Sequence, residues 1–307
     1  TMNALRAPLS ASASCVTMQP SLRRNLGARE RSLLTHMLVQ RLGADQEYFV
    51  FCKSYLEGYQ MVKVAFISFL IGLSMIGLLI GMKRNIAKNI HISFMPVMVV
   101  SSISVMVTIA GILNIMTQIV QMIYVLGLLL FIYYLVREPK CLRVLLSPSI
   151  IVLSIGILYS IWQYRHAMSF HYDDFSHWMT VVKSMIITDT LPSFKTPLVT
   201  FSAYPTGTAN LLYYVMHFTG FNENIALAIQ ASMNVCFLLP LLAFVDIKRV
   251  ESVVGYIAAL MVILSKFGVT GTLLVDDLLG LIGITFVAYA MKSSEDGDVS
   301  FAFLSII

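Results

Sequence analysis

The chain has 307 residues, 58% of them hydrophobic and only 12% charged, with a mean hydropathy of +0.80. That composition argues against a soluble globular domain and for a polytopic membrane protein, because apolar runs of about 20 residues recur along it. The net charge of +5 does not signal nucleic acid, since the basic residues fall in short loops. The four cysteines (Cys15, Cys52, Cys141, Cys236) show no CxxC spacing, which argues against a disulfide framework or a zinc site.

Residues 1–58 differ from the rest in being rich in Ser, Ala and Arg, with Arg23, Arg24, Arg29 and Arg31 among them. No apolar core of signal-peptide length follows those arginines. The stretch reads as a disordered or non-native tail, with a weak amphipathic pattern over 30–42. The chain starts at Thr1 and ends at Ile307 inside a new apolar run that begins at 299, so it reads as a fragment.

The first span is expected over 61–82, followed by a basic loop with Lys83, Arg84 and Lys88. The apolar stretch 92–136 is too long for one crossing of about 20 residues. A turn near Asn114 divides it into spans 92–113 and 115–136. Arg137, Lys140 and Arg143 follow, then a span over 144–163 that ends in Trp162 and Tyr164, residues suited to an interfacial belt. With basic loops taken as cytoplasmic, 83–91 and 137–143 share one side. The next loop, with Asp173 and Asp174, then faces outward. The same count places the Arg-rich tail outside, against the rule.

Polar chemistry concentrates in 171–207, which contains His171, Asp173, Asp174, His177, Lys183, Asp189 and Lys195. Within it, Phe175, Trp178, Met179, Val182, Met185 and Ile186 recur at helical spacing. The pattern suits a short helix on the membrane surface with both aspartates at its N-terminus, where the helix dipole keeps them ionised. Pro192 and Pro197 break the chain after it, and a Tyr204-Pro205-Thr206-Gly207 turn closes the stretch.

The run 204–218 is apolar but short, and is expected to be re-entrant or interfacial. A span over 222–245 then brings Lys248 and Arg249 to the cytoplasmic side. Spans 252–271 and 278–291 follow, with Asp276 and Asp277 between them on the face of Asp173 and Asp174. The expected fold class is an all-α polytopic transmembrane bundle, with an external loop that carries a juxtamembrane helix.

Several residues in this arrangement are candidates for chemistry. Asp173 and Asp174 cannot point the same way, because helical neighbours lie about 100° apart. One of them can face a substrate while the other orients a partner. Asp276 or Asp277 can instead serve as a helix cap. Asp173, His177 and Asp276 are the residues that could hold a divalent metal, although the spacing of six between His171 and His177 is not that of a helical metal pair. Lys183 and Lys195 either clamp a phosphate by charge or snorkel to water.

Three segments resemble a known family: Asp173-Asp174-Phe175-Ser176-His177-Trp178, then Val182-Lys183, then Tyr204-Pro205-Thr206-Gly207-Thr208. Together they look like the first external loop of bacterial polytopic glycosyltransferases of the GT-C type. The segment Val275-Asp276-Asp277-Leu278-Leu279-Gly280 resembles a second acidic element of such proteins. Thr206 stands where a second proline is common, and Asp174 where Glu is common. The resemblance is tightest over 171–210, looser over 92–291, and absent over 1–58.

The resemblance implies a membrane glycosyltransferase of the cell envelope, moving a sugar from a polyprenyl-phosphate-linked donor to a glycan or lipid-linked acceptor at the external membrane face. Asp173 would be the general base and Asp174 its support. Lys183 would contact the phosphate, and His177, Tyr204 and Lys195 the substrate. Asp276 would be a second acid or a metal ligand. Single displacement with inversion is the route implied. The competing readings are a lipid-linked saccharide transporter or flippase, and a non-catalytic component of polysaccharide export.

Overall fold

The computed structural model describes residues 62–193, 199, 201–266 and 272–296. The expectations for the tail 1–58, the run from 299, Pro197 and Lys195 lie outside these residues. The protein is all-α, and no strand occurs among the described residues.

Among the described residues nine α-helices follow one another: α1 (Val62–Asn85), α2 (Met95–Ile112), α3 (Met116–Arg137), α4 (Pro148–Tyr164), α5 (Met179–Thr188), α6 (Gly207–Thr219), α7 (Glu223–Leu238), α8 (Val250–Lys266) and α9 (Val275–Asp296). Among the described residues, four helices are long and apolar enough to cross a membrane: α1, α2, α3, and α7 with its 3-10 extension to Phe244. A fifth is added if the 3-10 segment Pro139–Leu146 and α4 count as one span bent by 66°. The bend sits where Ser147 precedes Pro148, with Ser147 extended at ψ 146, as the proline ring requires of its predecessor. Helix α6 has 13 residues, or about 20 Å of rise, short of a hydrocarbon core of about 30 Å.

The α2–α3 turn is made by Asn114, whose φ of 57° lies in the left-handed region that asparagine tolerates better than other side chains. Across that hairpin, the crossing of α1 and α3 depends on two glycines. A Cβ on Gly77 would lie 2.0 Å from the Gly127 carbonyl oxygen, and one on Gly127 would lie 2.2 Å from Ser74 Oγ. The Ser74 hydroxyl donates to the Tyr124 carbonyl at 2.9 Å, so the helices touch backbone to backbone, as small-residue membrane crossings do. Gly127→Val should therefore destabilise the bundle by about 1–3 kcal/mol, the usual range for overpacking. A detergent-denaturation midpoint unchanged from wild type would contradict this close crossing.

The bundle has two chemically distinct ends. At one, Arg84 pairs with Glu138, joining the basic loops after α1 and α3. The 3-10 segments Ile92–Phe94 and Leu239–Phe244 pack together there, which brings Lys248 and Arg249 to the same end. At the other, α4 finishes and α7 and α9 begin, and the Leu273 amide donates to the Asp174 carboxylate at 2.9 Å. Asp276 and Asp173 therefore share the acidic end.

Candidate active site at the acidic end

The site is built on an irregular helix. His171 starts it, its carbonyl accepting from the amides of Asp174 at 3.1 Å and Phe175 at 3.4 Å. Its ring Nδ1 lies 3.3 Å from the Asp173 amide and accepts from it, the part an Asn or Asp side chain usually plays at a helix start. The residues that follow, Asp174–Trp178, form a π turn in which the Met179 amide reaches back to the Asp174 carbonyl. The Phe175 carbonyl is met by the Thr180 hydroxyl at 2.7 Å. Single π turns inside α-helices concentrate at functional sites, and this one coincides with the Asp-Phe-Ser-His-Trp segment.

The two aspartates have opposite fates. Asp173 is exposed, its carboxylate 3.6 Å from His171 Nδ1, a separation too long for a hydrogen bond. Asp174 has no exposed surface. Its carboxyl accepts from Ser169 Oγ at 2.5 Å and from the Leu273 amide at 2.9 Å. Burial pushes its pKa above the ordinary carboxylate value, and the two donors offset that only in part. The helix dipole is expected to favour the ionised form of both aspartates; at Asp174 desolvation of the charged form works against it and is the larger effect. Asp174 joins the π-turn helix to the segment ahead of α9 and does not face solvent.

His177 is also buried, at 4% exposure. The edges of Trp178, Phe201 and Tyr204 surround its ring at centroid distances of 4.5, 5.6 and 5.2 Å, and its Nδ1 has no partner. Burial lowers its pKa, against a smaller opposing effect of the Asp173 charge. The imidazole is therefore the neutral floor of an aromatic ledge. On that ledge Phe201 and Tyr204 stack at 5.0 Å and 15°, each about half exposed.

The remaining expected residues are more dispersed. Lys183 stands over the Phe221 ring at 5.5 Å, ten positions beyond Asp173 and so about 15 Å along the helix axis. Asp276 is exposed in the first turn of α9. No three His, Cys, Asp or Glu side chains among the described residues come together to hold a metal. The set of Asp173, His177 and Asp276 is therefore not assembled.

Sequence reasoning missed Ser169, Glu223 and Phe201. The Ser169 amide donates to Glu223 Oε2 at 3.2 Å while its hydroxyl holds Asp174, so this serine couples the start of α7 to the buried acid. Beside it opens a cleft of about 400 Å³ whose lining includes Arg165, His166, Glu223 and Asn224. Glu223 lies 54 positions from Ser169, beyond the reach of any local pattern. No protein-family profile, curated protein or solved structure matches this chain.

Proposed function

We propose that the protein is a membrane glycosyltransferase that moves a sugar from a polyprenyl-phosphate-linked donor to an acceptor hydroxyl at the acidic end of the bundle, the extracytoplasmic side. The observation that carries this reading is the buried Asp174 carboxyl. It ties the π-turn helix to the start of α9, so an exposed aspartate, an aromatic ledge and a second acid stand at one end of an apolar bundle. A lipid-linked donor requires such a boundary site, apolar along its length and polar at its tip.

In this reading Asp173 takes the proton from the acceptor hydroxyl as that oxygen attacks the anomeric carbon and the donor phosphate leaves with the bonding pair. An alcohol ionises far above neutral pH, so a positioned carboxylate is needed. The Phe201–Tyr204 ledge stacks against the apolar face of a sugar ring. Lys183, exposed beside Phe221, contacts the donor phosphate, and Arg165, in the cleft beside Ser169, is a second cation at this end. Asp174 is a positioning residue and Asp276 a second acid near the leaving group.

A transporter or flippase would place its acids near mid-bilayer, within broken helices. Here both acidic pairs stand at helix starts. The test is transfer from polyprenyl-phosphate sugars to lipid-linked acceptors by the full chain in vesicles, wild type against Asp173→Asn. Truncating the ledge with Tyr204→Ala should raise the acceptor KM more than it lowers kcat, provided the residue binds rather than reacts. An unchanged KM would remove the ledge from the site.

A further inference from the structure

At the basic end the structure contains an apolar cleft of about 690 Å³ between α8, α9 and the 3-10 segment after α7. Its wall includes Leu241 and Phe244 from the segment, Tyr256 and Ala259 from α8, and Gly283 and Val287 from α9. It runs along α9 from Gly280 to Met291, about 16 Å at helical rise. Three observations indicate what fills it. A Cβ on Gly283 would meet nothing within 4 Å, so no neighbour requires that glycine and the space it leaves belongs to the cleft. Tyr256 lines the cleft with a hydroxyl that has no partner among the described residues, a polar point in an otherwise oily wall.

The third observation is charge at the mouth. Val245 and Ser252 line the cleft on either side of the loop that carries Lys248, and the Asp246 amide donates to Ser252 Oγ at 2.9 Å, which holds the two ends of the loop together beside the cleft. Arg249 is paired with Asp246 at 3.3 Å. Lys248 is exposed; its backbone amide donates to Asp246 Oδ1 at 3.1 Å, while its ammonium is in no ion pair among the described residues.

We propose that this cleft is a phospholipid site. One acyl chain lies along α9, the Tyr256 hydroxyl donates to an ester carbonyl, and an anionic phosphate headgroup sits on Lys248. The proposal is independent of the glycosyl-transfer reading, because the cleft lies toward the end opposite Asp173. The apolar lining supplies most of the binding through buried hydrocarbon, and a basic residue at the membrane surface selects for anionic lipid.

The full chain is reconstituted in nanodiscs of mixed phosphatidylcholine and phosphatidylglycerol, released, and weighed by native mass spectrometry. Wild type should retain one phosphatidylglycerol. Gly283→Phe, which places a ring on a cleft-lining position whose Cβ has open space, should lose it, and Lys248→Gln should lose the preference for phosphatidylglycerol. Gly72→Phe is the control, at a second open glycine on α1; it should keep the lipid, and circular dichroism should give all variants the same helix content. The site is overturned if wild type retains no lipid, or if Gly283→Phe retains as much as Gly72→Phe. Equal retention of both lipids by wild type would overturn the assignment of Lys248.

Discussion

Asp173→Asn should lower glycosyl transfer by roughly 100- to 10,000-fold, the range that a positioned general base supplies. The substitution keeps the shape and polarity of the side chain and removes only its ability to accept a proton. Because the Asp173 carboxylate is half exposed and holds no buried partner, stability should change by no more than about 0.5 kcal/mol. Activity and stability therefore separate, and the measurement needs both: turnover in vesicles and a thermal or detergent unfolding midpoint. Transfer at the wild-type rate with an unchanged midpoint would remove Asp173 from the chemistry and move a non-catalytic export role ahead.

Asp174 should behave in the opposite way. Asp174→Ala strands the Ser169 hydroxyl and the Leu273 amide, and each buried donor left unmet costs about 1–3 kcal/mol. Amide hydrogen exchange at Leu273 should accelerate as the segment ahead of α9 loosens. Asp174→Asn retains an acceptor oxygen and should recover most of that protection. The pH dependence follows from the raised pKa. Folding takes up a proton between the ordinary carboxylate value of about 4 and the higher value that Asp174 has in the fold. Its contribution to stability is therefore complete below that window and is lost as pH rises through the folded pKa. In Asp174→Asn that slope should vanish. A slope identical to wild type would mean that the Asp174 pKa is not raised in the fold, against its burial.

The apolar runs in the sequence carry the all-helical class, because a bilayer leaves the backbone little alternative to internal hydrogen bonding. Asn114 announced its own turn, since it interrupts a run too long for one crossing. The fate of Asp174 was not legible. Its burial is decided by the Leu273 amide, 99 positions away, and two adjacent aspartates give no local sign of which will be covered. The burial of His177 was not legible for a similar reason: it depends on the placement around the ring of Phe201 and Tyr204, which lie more than 20 positions further along the chain. The Phe221 ring under Lys183 was equally out of reach of a local pattern, since it lies 38 positions further along the chain.

The π turn at Asp174–Trp178 amounts to one extra residue inserted in an otherwise regular helix. Everything before it is rotated by about 100° relative to everything after it, the angle one residue subtends on an α-helix. That phase shift lets two demands be met at once: Asp174 is turned inward to Leu273, while Val182 and Met185 beyond it keep their buried positions. Deleting Ser176 should restore an ordinary helical register and swing Asp173 off its present heading with no charge removed. The chain thus encodes the direction of its acid as a count of residues, a property that a side-chain substitution scan would pass over and a single-codon deletion would reveal.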